Sequence, residues 1–600
     1  MGGWDAASPE WVDKGRDMDP NQINSGGIHQ SQAGVPQATL VPMGNEWADG
    51  VGRAAVSPRS RRLRWGIAGA VVLAVTMITA GGVFVLSGAA GAKSLTAGVA
   101  PKNAVAFLEI RTDLPGDQHT LLADFMSHFP GFQDRAQFDN ALDNLLNRMT
   151  GEVSADLRYT SAFKPWMEGE VSIAAMGGSA VAGVVEPSAL AIFALKDRAA
   201  AQTWIAGELT RIGVKTASQD YAGTTLYTIG AGLKEGAYAF TDQDLLLGTV
   251  AGVKAALDTK TNGSLADNAN YQAAMKSVSG DSLARFYFDP KTMLSELMAS
   301  GGSAMGKLHG MGALASASFA VSSADVPAWV AGSVQAQSGQ MVVNVAMPRT
   351  GSAGAGNHVS RLASVLPGNT VGAFEAHGIG KIVTDQLAAL AARLPSGSAA
   401  NSLKTLRDGL ALVGGLDWLG DGVAAITKDG SAYGGGIVVE AADSSTAAAK
   451  VALIKTYSAL AGGTLHLSSR TETYKGISIT VFSVPDSTGK PIEIALAAKG
   501  NVIVAGYTDA FAKAVIDTTP ATSLSAQPDY SAVTAAAGAS NDQSMYVNIP
   551  ALEDEIGIAA LASSSRWTAD YKPYFDHFGG VGYSVVDGNT VILRLVVTAK

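Results

Sequence analysis

Residues 101–111 read PKNAVAFLEIR and residues 367–377 read PGNTVGAFEAH. Laid together without a gap, they match Pro101 to Pro367, Asn103 to Asn369, Val105 to Val371 and Glu109 to Glu375. Further matches keep the same order. PWMEGEVSIAA at 165–175 resembles DWLGDGVAAIT at 417–427, and YAGTTLYTI at 221–229 resembles YKGISITVF at 474–482. From Lys254 through Leu297 a constant shift of 259 residues matches Lys254 to Lys513, Asp258 to Asp517, Tyr271 to Tyr530, Tyr287 to Tyr546 and Glu296 to Glu555. Chance does not produce ordered, gapless matches of this kind. Residues 94–350 and 355–600 read as two copies of one unit, with a period far too long for a solenoid.

Each copy shows the same succession of elements. Val105, Phe107 and Glu109 alternate with Ala106 and Leu108 as in a strand, and DQHTLLADFMSHF at 117–129 then turns to helical spacing through Leu121, Leu122 and Phe125. A β-rich middle follows, with ALAIFAL at 189–195, a helix near 198–212, strands near 224–250 and LARFYFD at 283–289. Strands in neighbouring runs predict an α+β fold, two tandem related halves, each largely antiparallel sheet with helices packed on one face. RTGSAGAGNH at 349–358 has no apolar period and reads as the linker between them.

Ahead of the halves, WGIAGAVVLAVTMITAGGVFVL at 65–86 carries no charge and spans about 33 Å as a helix. Arg59, Arg61, Arg62 and Arg64 precede it and only Lys93 follows closely, which by the positive-inside rule leaves the N-terminus in the cytoplasm. The expected organisation is a disordered cytoplasmic tail (1–64), a transmembrane helix (65–89) acting as an uncleaved signal anchor, and two extracytoplasmic halves, 94–350 and 355–600. The expected location is the cell membrane, single-pass, with the C-terminal domain outside.

Composition narrows the chemistry. The net charge of −9 over 600 residues argues against nucleic acid as a partner. There is no cysteine, which excludes disulfides, thiolate zinc sites and cysteine nucleophiles together. No GxSxG or P-loop pattern occurs. GAGLKEG at 230–236 falls where the second copy has VPDSTGKP between two strand-like runs, so it reads as a hairpin turn. The eight histidines are scattered; His119 and His128 stand nine apart, off the spacing of a shared helical face, and an exposed or core-edge role is expected for each. No metal ligand and no cofactor are assigned.

Glu109 and Glu375 are the catalytic candidates, because each copy ends an apolar strand with a carboxylate beside a potential cation, Arg111 or His377. A locally satisfied edge carboxylate is nevertheless the expected role of each, and no catalytic residue is assigned. Asp289 and Asn548 each close a strand before a helical run and are read as helix caps. Trp166 and Trp418 are read as core anchors.

RTDLPGDQHTLLADFMSHFPGF at 111–132 and FKPWMEGEVSIA at 163–174 resemble a bacterial family known as domain of unknown function 3352. The resemblance implies one N-terminal membrane segment, a large external domain and an actinobacterial source. It implies no activity and no functional residues. The expected role is non-catalytic binding of a ligand or envelope protein, against two alternatives: an apolar-ligand carrier, and an envelope hydrolase using carboxylates.

Overall fold

The computed structural model describes residues 94–600 apart from 155, 182–183, 231–235, 300–325, 352–353, 355, 394–396, 413, 466, 486–490 and 553–571. The tail expected at 1–64 and the spanning helix expected at 65–89 lie outside the described residues. Among the described residues no helix is long and apolar enough to cross a membrane.

The first ten strands are β1 (Ala104–Arg111), β2 (Met167–Val181), β3 (Val184–Leu195), β4 (Thr216–Tyr221), β5 (Thr224–Ile229), β6 (Gly236–Phe240), β7 (Asp244–Thr249), β8 (Ala284–Phe288), β9 (Val330–Gln337) and β10 (Gln340–Pro348). After the two-residue β11 (His358–Val359) come β12 (Thr370–Ala376), β13 (Leu419–Asp429), β14 (Ala432–Ala441), β15 (Ser468–Tyr474), β16 (Ile477–Pro485), β17 (Pro491–Lys499) and β18 (Val502–Gly506). The chain closes with the two-residue β19 (Ser540–Asn541), then β20 (Gln543–Asn548), β21 (Phe578–Val586) and β22 (Thr590–Ala599). The fold is α+β, as the alternation patterns predict, but the helices of the first half cover both faces of the sheet and not one. Leu122 and Phe125 of Gln118–Met126 pack in the cluster of Phe193, while Val253 and Ala256 of Val250–Leu257 pack in that of Leu190 and Ile192.

Twenty of these strands form one antiparallel sheet. From one edge, β4, β5, β6, β7, β3, β2, β1, β8, β9 and β10 pair in turn. β10 then pairs with β22, and β21, β20, β12, β13, β14, β18, β17, β16 and β15 follow to the far edge. The order reads the same from either end, with Asn344 opposite Arg594 at the turning point. Separate domains are not what forms: the last strand of each half finds its partner in the other, and pairing two bare edges satisfies backbone groups that would otherwise invite aggregation.

Small features recur across that turning point. Tyr271 meets Tyr287 edge-on with centroids 5.4 Å apart, and Tyr530 meets Tyr546 at 5.2 Å. Burial pushes the Tyr287 and Tyr546 phenols up to about 12. The Tyr221 hydroxyl donates to Asp258 at 2.8 Å and that of Tyr474 to Asp517 at 2.7 Å. Both strand pairs turn through a left-handed residue followed by glycine, Ala222-Gly223 and Lys475-Gly476, the conformation that a tight hairpin requires. Pro101 bridges to Ser264 as Pro367 bridges to Ser523. The GAGLKEG and VPDSTGKP turns fall mainly outside the described residues, but Ile229 pairs with Gly236 and Pro485 with Pro491 on either side of them.

Core burial is unequal. One face of the first half is sealed by a large aromatic cluster that includes Phe125, Phe129, Phe138, Trp166 and Phe193. The helix Gln118–Met126 buries Leu122, Phe125 and Met126 there. In the second half the helix Ile379–Arg393 follows β12 as Gln118–Met126 follows β1, yet it buries none of its described apolar side chains completely. Trp166 is a buried anchor, whereas Trp418 is only partly buried against a smaller cluster.

Candidate functional site

Glu109 sits in the middle of the first half's sheet, opposite Ser172 on one side and Arg285 on the other. Arg285 Nη2 donates to Glu109 Oε1 at 2.7 Å, and Arg111 Nη1 donates to Glu170 Oε2 at 2.9 Å. Arg111 also reaches Asp113 at 3.1 Å. The second oxygen of Glu170 accepts from Ser94 Oγ and from Thr96, whose backbone N–H and hydroxyl both donate. Burial raises the Glu109 pKa; Arg285 pulls it back, and Glu170 pushes it further up. Two buried carboxylates and two guanidiniums thus balance each other in one network, with Glu109 Oε2 outside its hydrogen bonds, and such a network is a structural one.

Glu375 occupies the same place in the second half, between Val423 and Ser544. Ser544 stands where the first half has Arg285, and His377 stands where it has Arg111. One step beyond the pairing of Ala376 with Gly422 along β12 and β13 lies Asp421 beside His377. Gly378, at φ +57°, turns its N–H to Asp421 Oδ1 at 3.1 Å. A fourth group arrives from the linker: His358 is held by the short pairing of β11 with β19, opposite Asn541, and its Nε2 lies 2.6 Å from Asp421 Oδ2.

The two imidazoles stack, with ring centroids 3.7 Å apart. One nitrogen from each and one Asp421 oxygen lie within 4.8 Å of one another. His377 is 0% exposed, and neither of its ring nitrogens has a hydrogen-bond partner. Its Nε2 is 3.4 Å from Glu375 Oε1, an ion-pair contact outside hydrogen-bond geometry. Burial lowers the His377 pKa, but Glu375 and Asp421 together outweigh it, and the net displacement is upward. Among the described residues no Lys or Arg pairs with Glu375 or Asp421. Beside Glu375, at the place of Arg285 in the first half, a small cavity of about 10 Å³ is lined by Tyr530, Ser544 and Tyr546.

Glu109 and Glu375 therefore do not share a site. Seven strand spacings separate them, about 33 Å along the sheet. The expectation of exposed or core-edge histidines fails at His377, which is buried because it inherits the position of Arg111. His119 and His128 keep to local roles, the first 2.8 Å from Asp139 and the second donating to the Asp124 carbonyl. Asp289 caps the helix Pro290–Ala299 through the Thr292 N–H, and Asn548 accepts from the Ala551 N–H, as read from the sequence.

A second feature lies on the face that the first half seals. Phe374, Ile426 and Ile437 are 47%, 52% and 52% exposed on adjacent strands β12, β13 and β14. Ala424 stands opposite both Phe374 and Ile437, and Ile426 stands between Gly372 and Gly435, so small residues separate the three. At the corresponding places in the first half, Leu108 and Ala191 lie in or against the aromatic cluster.

The molecule is thus an α+β protein on one continuous antiparallel sheet, with a sealed first half and an opened second half. The chain matches the family described as "Protein of unknown function (DUF3352)" over residues 67–595 and belongs to it. A comparison with curated proteins returns no match. Two crystal structures are similar in part. "Structure of crystal form III of TP0453" shares 10% identity over 43% of this chain and 80% of that one, with a TM-score of 0.21. "Structure of crystal form I of TP0453" shares 11% over 44% and 81%, again at 0.21. Superposition that loose says nothing of function.

Proposed function

We propose that this chain is a non-catalytic binding protein of the cell envelope, two copies of one unit in tandem, held by a single membrane helix at 65–89 with its C-terminal domain outside the cell. The first copy serves as scaffold and the second as the binding half. The observation that carries this reading is the bare apolar strip of Phe374, Ile426 and Ile437. Contiguous exposed apolar residues on a sheet mark interaction surfaces, and here the equivalent face of the other copy shows what a covered version looks like. The occupant we favour is an envelope protein. A lipid would need an enclosed apolar tunnel, whereas this strip is an open face.

Photo-crosslinking in host membranes tests it. With p-benzoylphenylalanine at Ile426 or Ile437 in the full chain, a discrete protein adduct is expected that is absent with the probe at exposed Gln272. Equal labelling at all three positions, or none, would overturn the reading; a lipid adduct at 426 and 437 would replace it with the carrier.

A further inference from the structure

We propose that His358, His377 and Asp421 form a binding site for one divalent transition-metal ion of the zinc class, with Glu375 orienting the buried imidazole. This stands on different observations from the apolar strip and does not depend on it.

Charge comes first. In the first half, Glu109 and Glu170 are matched by Arg111 and Arg285, and the buried charges cancel. The second half keeps both carboxylates, as Glu375 and Asp421, each no more than 5% exposed. It replaces the two guanidiniums with His377 and Ser544. With neutral imidazoles the site carries two uncompensated negative charges in a buried setting, which is costly. Charging one ring cancels only one of them, and charging both stacked rings presses two cations together at 3.7 Å between centroids. A dication cancels the two carboxylates and leaves both imidazoles neutral, the form in which they ligate metals.

The donors agree with that accounting. Two imidazoles and a carboxylate suit zinc and neighbouring ions, whereas calcium and magnesium prefer all-oxygen sets. The three donor atoms already lie within 4.8 Å of one another. Ligands about 2.0–2.2 Å from a tetrahedral ion stand roughly 3.4 Å apart, so the 2.6 Å hydrogen bond between His358 and Asp421 opens as the ion takes the place of its proton, and His358 turns out of its stack on His377 so that the ion lies in the plane of both rings. Glu375, 3.4 Å from His377 Nε2, is placed as the carboxylate behind a ligating histidine, which fixes its tautomer and ring orientation. His377 is fully buried, Glu375 is the group beside its Nε2, and an ion on the other nitrogen supplies the partner that Nδ1 lacks. His358, about one-third exposed, is the side from which an ion enters.

The experiment uses the full chain in detergent, stripped with a chelator and titrated with Co²⁺ by visible absorption and with Zn²⁺ by calorimetry. One ion per chain is expected, with the intense bands of a four- or five-coordinate cobalt centre. Glu375→Gln should weaken Zn²⁺ binding by about 10–100-fold, and His377→Ala by more. His358→Ala, at the one-third-exposed ligand, provides a variant that folds, with its melting temperature measured alongside; it must also lose the cobalt bands. Arg111→Ala in the first half leaves Zn²⁺ affinity unchanged in whatever fraction stays folded. Absence of stoichiometric binding to the wild-type chain would overturn the proposal, and so would affinity unchanged in folded His358→Ala.

Discussion

Arg285 and Glu109 face each other on neighbouring strands, Nη2 to Oε1 at 2.7 Å, in the register that sets Ser544 opposite Glu375 in the other half. The same place in the fold thus carries a closed ion pair in one copy and an opened carboxylate in the other. Removing one partner of a buried pair leaves an unpaired charge and costs about 3–5 kcal/mol. Arg285→Ala is therefore expected to destabilise the chain by that order, read from denaturant midpoints. The double variant Arg285→Ala/Glu109→Ala should recover part of the loss. A single variant within about 0.5 kcal/mol of wild type would show that the network is not balanced as described.

The apolar strip makes the opposite prediction for stability. Ile426→Ser and Ile437→Ser remove exposed side chains, so thermal unfolding should change little, by roughly 0.5 kcal/mol or less. Partner capture should fall sharply in both. By contrast Ala191→Ser, at the buried counterpart in the first half, should cost stability because it places a hydroxyl inside the aromatic cluster. Equal destabilisation at all three positions would mean that the strip is covered in the folded protein.

Much of this was written in the sequence, and the parts that were not have physical causes. The shift of 259 residues found the Tyr271–Tyr287 and Tyr530–Tyr546 pairs because both lie in segments without insertions. Laying PWMEGEVSIAA on DWLGDGVAAIT set Trp166 on Trp418 but placed Glu170 against Gly422. Both strands carry a register irregularity just after the tryptophan, and the ladder pairs them one residue differently, which makes Asp421 the counterpart of Glu170. A single gap at that point would have exposed the second carboxylate. His358 was hidden for another reason: it ends a glycine-rich linker, and only the bridge from β11 to β19 carries it to His377. The joining of β10 to β22 was beyond reach, since strand partners about 250 residues apart leave no periodic signature.

Asp244 gives a prediction in pH. Its carboxyl is buried against Thr241, and burial raises its pKa from the ordinary 3.8 to about 6. In the unfolded chain it ionises at the ordinary value, so between these two the folded state holds a proton that the unfolded state has lost. The stabilisation is complete below about pH 4 and disappears as pH rises through about 6, amounting to on the order of 3 kcal/mol. Asp244→Asn should remove this slope from a plot of melting temperature against pH. A wild-type profile that matches the variant across that window would refute the assignment.

Converting one half toward the other tests the relation between the two clusters directly. His377→Arg with Ser544→Arg restores both guanidiniums of the first half, one beside Asp421 and one beside Glu375. The carboxylates then have fixed cations, so the metal-free chain should melt higher than wild type, and added Zn²⁺ should no longer raise its melting temperature. Wild type should show the reverse: a lower metal-free melting temperature, and a rise with Zn²⁺ that follows the logarithm of free ion concentration once sites saturate. Ser544→Arg alone separates the contributions. It neutralises Glu375 without touching the three ligands, so cobalt bands should persist while affinity falls, because Glu375 no longer orients His377. Loss of the bands in that variant would place Glu375 among the ligands themselves.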